Sequence, residues 1–445
     1  MYLKPVERKL SIRESLYWKK VFMHNVMIGT EIEFESGTGC SSSDVRNKFG
    51  SCGSSIKRFK DNGISEIKGD GSLRSGAEIC TSGKKVYGFM EQFSLYKGII
   101  DKLYQFKPLA NARAGWHNHV VLQNFDGFVA NEMPVPGIIL ANTFAILKMF
   151  YPAFAWISSS NSGECYTRRN NFCLTDKLQR QSVNKSARDL YNAFENRYSA
   201  INTTHLGLDG DDISNFHLEF RFPDVGLFPA LMATQNILFK AVLIKAVEIS
   251  KFGVLTTTED NLELINKLYS FRNKGFGSYS DVLNECYFID EELSRKIKKE
   301  SPDRESLPLN EEGITGLKKL ANELVNFLAP TIKQIDETAL TMLKHFANTP
   351  VSLMFKEMKT DKIEKINDSL EEIIDNIYVK TNDEEMLTVL ELIESGMLHN
   401  VESTGDWFNK ASNLVTCKEG LDTIIDRISK VVELGFSKEL GYYVK

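Results

Sequence analysis

Three short segments of this chain carry ionisable side chains at alternate positions: Thr30-Glu31-Ile32-Glu33-Phe34, Gly115-Trp116-His117-Asn118-His119-Val120 and Phe216-His217-Leu218-Glu219-Phe220-Arg221-Phe222. Alternate side chains of a β-strand share a face, so Glu31 with Glu33, His117 with His119, and His217 with Glu219 and Arg221 each point to one side. The interleaved residues are mostly apolar, which predicts a sheet with a greasy back and an ionic front. Two adjacent carboxylates repel unless a proton or cation intervenes, and a hard divalent ion such as Mg²⁺ is the natural third party. Imidazoles ligate metals or donate to phosphate oxygens. A guanidinium holds a phosphate or carboxylate through two parallel hydrogen bonds. Taken singly, each segment also has an ordinary explanation: an edge strand facing water, a hydrogen-bonded histidine pair, an ion pair within one strand. Only seven histidines occur in 445 residues, so a His-x-His pair is less easily a chance cluster.

Other polar residues extend the same front. Glu78, in Ala77-Glu78-Ile79-Cys80-Thr81-Ser82, opposes Ala77 and Ile79 across the pleat, whereas Asp70, in Asp70-Gly71-Ser72-Leu73, sits in a turn, where an acid commonly caps its own backbone. Arg168 and Arg169 precede Asn170 and offer an anion site or simply a solvated loop. Arg197 and Asn202 close the run Arg197-Tyr198-Ser199-Ala200-Ile201-Asn202.

The elements that must position these residues are short strands in the first half and helices in the second. Period-two alternation predicts strands over 26–35, 64–68, 76–81, 116–122 and 215–222. The Gly/Ser-rich stretch across 36–55 reads as a mobile loop that could close over a site. Helices are expected at about 84–105, 137–150 and 184–200, with Leu190, Phe194 and Arg197 at helical spacing in the last. From about 226 onward the period is helical. Apolar stripes run through Leu317, Leu320, Leu324 and Phe327; Ile332, Ile335, Leu343 and Phe346; Ile363, Ile366, Leu370, Ile373 and Ile377; and Leu421, Ile424, Ile425, Ile428 and Val432. Breaks fall at Ser301-Pro302-Asp303 and Asn348-Thr349-Pro350. The reading is an α+β fold divided into an N-terminal extension at 1–25, a catalytic domain at 26–250 and a mainly α-helical C-terminal region at 251–445.

Composition narrows the class. A net charge of −5 argues against a general nucleic-acid binder, which needs a basic excess for phosphates. Neither a continuous run of about 18 apolar residues nor a signal-peptide pattern is seen, so the expected compartment is the cytoplasm, with no membrane partner. Seven scattered cysteines without a Cys-x-x-Cys pair read as reduced thiols rather than a zinc site or disulfide framework; a Cys40–Cys52 bridge is the exception weighed and set aside.

In order, Gly29-Thr30-Glu31-Ile32-Glu33-Phe34, Asp70-Gly71-Ser72-Leu73, Glu78-Ile79-Cys80-Thr81-Ser82, Gly115-Trp116-His117-Asn118-His119-Val120, Arg197 to Asn202 and His217-Leu218-Glu219-Phe220-Arg221 form a series that resembles the amidoligase family, a branch of the carboxylate–amine ligases with the glutamine synthetase fold. The likeness spans roughly residues 26–225. It implies a curved antiparallel sheet with packed helices, binding ATP with two or three Mg²⁺ ions, or Mn²⁺ in their place. It implies metal ligation by Glu31, Glu33, Glu78, Glu219 and His117. His119 and Arg221 would contact nucleotide phosphate and, with Glu33 and Arg197, serve the reaction, while Asn202 and Arg168 would help hold the nucleotide. Asn118 departs from the family pattern, in which an apolar residue usually stands between the histidines.

The implied reaction joins an amine to a carboxylate through an acyl phosphate, because a carboxylate does not condense with an amine in neutral water. Phosphoryl transfer to it requires several negative charges to be neutralised in line. No Walker-type or dinucleotide-type glycine motif competes for the nucleotide. Substrates are an amine and a carboxylate, on a small molecule, peptide or protein, and the helical half is a candidate surface for a homo-oligomer or a protein partner. Three other readings stay open: phosphotransfer to a nitrogen acceptor, a zinc hydrolase using His117, His119 and His217, and a nucleotide-binding or assembly protein that retains the fold without activity.

Overall fold

The computed structural model describes residues 2–4, 8–49, 63–111, 113–122, 133–158, 186–223, 226–256, 311–351, 357–382, 436–437 and 442–443. Arg168, Arg169, Asn170, the break at 301–303 and the stripe from Leu421 to Val432 lie outside them. The chain divides into two compact units, Met1–Asp368 and Ser369–Lys445.

The first unit mixes helices with antiparallel strands, as an α+β chain should. Its strands are β1 Tyr2–Lys4, β2 Val26–Ser36, β3 Ile64–Lys68, β4 Ala77–Thr81, β5 Lys84–Lys85, β6 Pro108–Asn111, β7 Trp116–Leu122, β8 Ile201–Asn202, β9 Gly207–Asp209, β10 Asp212–Asn215, β11 His217–Phe220, β12 Val254–Thr256 and β13 Glu357–Met358. Its helices are α1 Ile12–Asn25, α2 Ser42–Lys48, α3 Phe89–Leu103, α4 Gly137–Ser158, α5 Ala187–Phe194, α6 Pro229–Ser250, α7 Glu311–Ile335, α8 Glu337–Asn348 and the start of α9, Thr360–Asn382. A nine-stranded sheet runs β13-β6-β2-β7-β11-β8, with β5 and β4 also on β2 and β3 beyond β4. The second unit contains, among the described residues, the rest of α9 and the paired strands Phe436–Ser437 and Tyr442–Tyr443.

Strand β2 is the spine of the sheet. Ile28, Ile32 and Phe34 on its back face are buried with Ile79 of β4, Trp116 and Val120 of β7, and Leu218 and Phe220 of β11. Helix α6 covers this face, and Phe239 stacks on Phe220 with ring centroids 4.3 Å apart. By length and hydropathy α6 would pass for a membrane-crossing helix, but 94% of its apolar window is buried in the protein, which makes it a core helix. Thr234, Asn236 and Lys240 break up its apolar sequence. Asn236 bonds Gln92 and Tyr96, and the Lys240 ammonium donates to the Val86 carbonyl at 2.6 Å. Asn118 is fully buried on the same face with neither side-chain polar atom hydrogen-bonded among the described residues, a cost to packing rather than to the front. Helices α7 and α8, beyond the expected boundary at 250, pack on α4 and α6, with Trp156 Nε1 donating to the Ala347 carbonyl at 2.9 Å.

Four expectations need correction. Residues 42–48 form a helix rather than a mobile loop, because Ser41 and Asp44 cap each other's backbone N–H and Arg46 donates to the Ile67 carbonyl. The helix expected over 184–200 ends at Phe194, which leaves Arg197 in a turn. The strand expected over 215–222 is two strands, and Arg221 follows the second with its N–H bonded to the Ala200 carbonyl at 2.9 Å. The stripe from Ile332 to Phe346 belongs to two helices, broken at Asp336.

Asp336 caps both of the helices it touches. Its Oδ1 accepts from Ala339 N at 2.9 Å at the start of α8, and its Oδ2 accepts from Phe89 N at 2.8 Å, where Gly88 supplies no cap to α3. A single cap is worth about 1 kcal/mol. Asp336→Ala is therefore expected to cost about 2 kcal/mol in denaturant unfolding. Asp336→Asn, which keeps one acceptor, should cost about half of that.

Candidate active site

Antiparallel register assembles the front face. Across β4, β2 and β7, Cys80 lies opposite Glu31 and Glu31 opposite His117, while Glu78 lies opposite Glu33. One step along, Gly29, His119, Glu219 and Asn202 line up across β2, β7, β11 and β8. At the other edge Lys68 of β3 pairs with Glu78. Gly76, just before β4, has φ 84°, and a Cβ there would lie 2.2 Å from the Phe34 carbonyl oxygen, so only glycine lets β4 enter alongside β2.

Apart from Gly29, Gly76 and Cys80, these residues line one cavity of about 540 Å³. Of the residues expected to act, Glu31, Glu33, Glu78, His117, His119, Glu219, Arg221, Arg197, Asn202 and Asp70 all border it, and Arg168 falls outside the described residues. Lys68, Ser72, Tyr198, Thr204 and His205 border it too, unanticipated. Lys68 could have been suspected as the last residue of a strand next to an acidic one, but its register with Glu78 is a tertiary fact. The Arg197 guanidinium lies over the Tyr198 ring, 5.4 Å from its centroid.

Charges in the cavity are closely coupled. His117 Nδ1 bonds Glu31 Oε2 at 2.9 Å and lies 3.9 Å from Glu219 Oε1, and its Nε2 is 3.8 Å from Glu33. Glu219 also receives Arg221 on one oxygen and Asn202 Nδ2 at 2.7 Å on the other. Lys68 Nζ lies 2.8 Å from Glu78 and 3.9 Å from Glu31. Burial would raise the Glu31 carboxyl, but contacts with His117 and His119 outweigh it and hold the group well below its ordinary range. Glu219 shows the same balance: burial opposes, yet Arg221, His117, His119 and Asn202 hold it low. Glu78 goes the other way, raised by burial and by Glu31 despite Lys68 and Cys80. Burial and the neighbouring Glu78 keep Cys80 a thiol, which donates to Glu78 at 3.2 Å. His119 is raised, the pull of Glu31 and Glu219 exceeding burial. His217 is pushed down to about 4 by burial and by His119 and His205.

Two triads have ligand atoms within 4.8 Å of one another on this face: Glu31, His117 and Glu219, and Glu33, Asp70 and Glu78. Glu31, Glu78 and Cys80 form a third group, which Lys68 already neutralises in part. The donors are mainly carboxylate oxygens, the set that suits Mg²⁺ or Mn²⁺. His117, His119 and His217, the trio a zinc hydrolase would use, do not come together in such a group among the described residues.

No protein-family model and no curated protein matches the chain. Among solved structures it is similar to a novel glutamine synthase homologue, with 13% identity and a TM-score of 0.34 over 78% of this chain and 72% of that one. It is similar to a bifunctional glutathione synthetase from Pasteurella multocida, with 10% identity and a TM-score of 0.35 over 77% of this chain and 53% of that one. The third likeness is to the ligase PafA in complex with the prokaryotic ubiquitin-like protein Pup, with 11% identity and a TM-score of 0.31 over 93% and 85%. At such identities and TM-scores, any assignment of function rests on the site's own geometry.

Glu78 offers a direct probe of the cluster. Its pKa in the folded protein lies above the ordinary 4.5, so the fold prefers the protonated acid, and stability is lost as pH rises through 4.5 toward the folded-state pKa. Near neutral pH, Glu78→Gln is expected to raise the melting temperature of the metal-free protein by roughly 2 °C, a gain that vanishes in acid below 4.5. The same variant should lose the stabilisation that millimolar Mg²⁺ confers on the native protein, as read by differential scanning fluorimetry.

Proposed function

We propose that this protein is an ATP- and Mg²⁺-dependent carboxylate–amine ligase that forms an amide through an acyl phosphate. The observation that carries the reading is the convergence of Glu31, Glu33, Glu78, His117, His119, Glu219 and Arg221 on a single cavity over the nine-stranded sheet. Glu31, His117 and Glu219 would hold one ion and Glu33, Asp70 and Glu78 another. Bound there, the ions would neutralise phosphate oxygens and leave the transferred phosphoryl group open to attack.

The substrate carboxylate attacks the γ-phosphorus of ATP, the bond to the bridging oxygen breaks, and ADP leaves. A neutral amine then attacks the acyl carbon, phosphate departs with the C–O bond electrons, and the amine nitrogen gives up its proton. Arg221, anchored by Glu219, supplies positive charge beside the transferred group. His119 presents Nε2 to the same space, 3.4 Å from Glu31. Lys68 and Arg197 extend positive charge to opposite edges of the cavity, which suits an anionic substrate between them. The amine or carboxylate is on a small molecule, a peptide or a protein, and the reaction takes place in the cytoplasm.

Purified protein with ATP, Mg²⁺ and a pool of amines and carboxylates should release ADP and phosphate and yield an amide detectable by mass spectrometry. Glu33→Gln should abolish release, and Arg221→Lys should lower kcat roughly a hundredfold. Release no greater than that of Glu33→Gln would remove the reading, and a stable phosphorylated product without amide would convert it to phosphotransfer.

A further inference from the structure

The acidic alternation of β2 runs one step further than the cavity does. Glu35 follows Glu31 and Glu33 on the same strand at the same period of two, but it does not border the cavity and is only 7% exposed. A buried carboxylate is costly unless hydrogen bonds replace its water. Both oxygens of Glu35 are bonded: Oε1 accepts from Arg74 N at 2.9 Å, and Oε2 accepts from Asn111 Nδ2 at 2.7 Å. Arg74 lies in the connection between β3 and β4, and Asn111 ends β6. Glu35 therefore ties that connection to the sheet.

The same connection carries Asp70 into the cavity. Its Oδ1 accepts from Ser72 N at 2.7 Å and from Ser72 Oγ at 2.5 Å, and its carbonyl accepts from Leu73 N at 3.2 Å, which closes a tight turn. A second anchor holds this turn from the far side. The Arg113 guanidinium donates to the Ser72 carbonyl at 3.2 Å, and Arg113 N donates to Asn111 Oδ1 at 2.9 Å. Asn111 thus joins the two anchors, with its amide nitrogen on Glu35 and its amide oxygen on Arg113. Ser75, next along the chain, bonds the Ser36 backbone through its own hydroxyl, so the entry into β4 has a separate tether.

We propose that Glu35 is a positioning residue: by accepting from Arg74 N and Asn111 Nδ2 it anchors the 70–74 turn, and so sets the Asp70 carboxylate within 4.8 Å of the Glu33 and Glu78 oxygens. Both partners of Glu35 are donors, so the position requires two acceptors. A carboxylate supplies them, whereas a glutamine would turn its NH₂ against one of the donors. The consequence for a bound ion rests on the ligase reading, but the anchoring of the turn does not.

The test compares full-length native protein with Glu35→Leu, Glu35→Gln, Asp70→Asn and the Glu35→Leu/Asp70→Asn double variant. Residue-resolved hydrogen exchange without metal should show the Ser72 and Arg74 amides protected in the native protein. In Glu35→Leu both should exchange at least roughly tenfold faster while the β2, β4 and β7 amides keep their rates. Mn²⁺ titration should find that Glu35→Leu weakens one ion roughly tenfold, the ion that Asp70→Asn also weakens, and leaves the other within about twofold. Added to Asp70→Asn, Glu35→Leu should cost no further Mn²⁺ affinity. Glu35→Gln should move both readouts the same way by less, and it decides the matter if the Leu variant does not fold. Unchanged exchange at Ser72 and Arg74, equal weakening of both ions or of neither, or additive losses in the double variant would overturn the proposal. If the native protein binds no Mn²⁺, the metal and ligase reading falls, while the exchange rates still decide whether Glu35 holds the turn.

Discussion

The pairing of β2 with β7, which sets Glu31 opposite His117 and Gly29 opposite His119, is the constraint on which the site depends. Side chains alternate with a period of two, so a slip of one residue would turn Glu31 and Glu33 into the core and bring Ile32 and Phe34 to the cavity. The apolar back prevents that slip, because Ile32, Phe34, Trp116, Val120 and Phe220 are all buried there. Burial of one face thus sets the geometry of the other. The cost is visible at Asn118, a buried amide whose polar atoms have no hydrogen-bond partner among the described residues.

Collecting so many acids on one face requires compensation. Before any ligand is considered, His117 and His119 hold Glu31 ionised, Arg221 and Asn202 hold Glu219, and Lys68 partly answers Glu78. Glu78 is the least satisfied member, raised by burial and by its neighbour Glu31. A buried carboxylate cluster destabilises a fold unless it is paired or binds cations. The two triads with ligand atoms within 4.8 Å are where added positive charge would be most favourable. This electrostatic demand, rather than any single residue, is what the proposed nucleotide and metal chemistry would meet.

Much of the front face was legible in the sequence because period-two alternation is a local property. The strands at 64–68 and 116–122 have the expected bounds, and the Glu, His and Arg sets share the expected faces. What could not be read is what depends on register or on distant chain. Lys68 reaches Glu78 only because β3 pairs with β4, and His205 reaches His217 only through the turn beyond β8. The Gly/Ser composition around residue 41 concealed a reciprocal cap that nucleates α2, so a helix stands where a loop was expected. Helical spacing carried Arg197 into α5, although the chain leaves the helix at Glu195, with ψ near 69°, and delivers Arg197 to the cavity rim from a turn. Asp336, capping two helices at once, looks from sequence like one acid within an apolar stripe.

The central claim is that the ionic face of the sheet binds divalent cations together with a nucleotide. Anomalous diffraction at the manganese edge, from crystals of the full chain grown with Mn²⁺ and a non-hydrolysable ATP analogue, tests it most directly. The account predicts manganese between Glu31, His117 and Glu219 and between Glu33, Asp70 and Glu78, with the analogue's phosphates bridging the ions toward Arg221. Manganese absent from this face, or a nucleotide bound elsewhere with the cavity filled only by Lys68 and solvent, would contradict it.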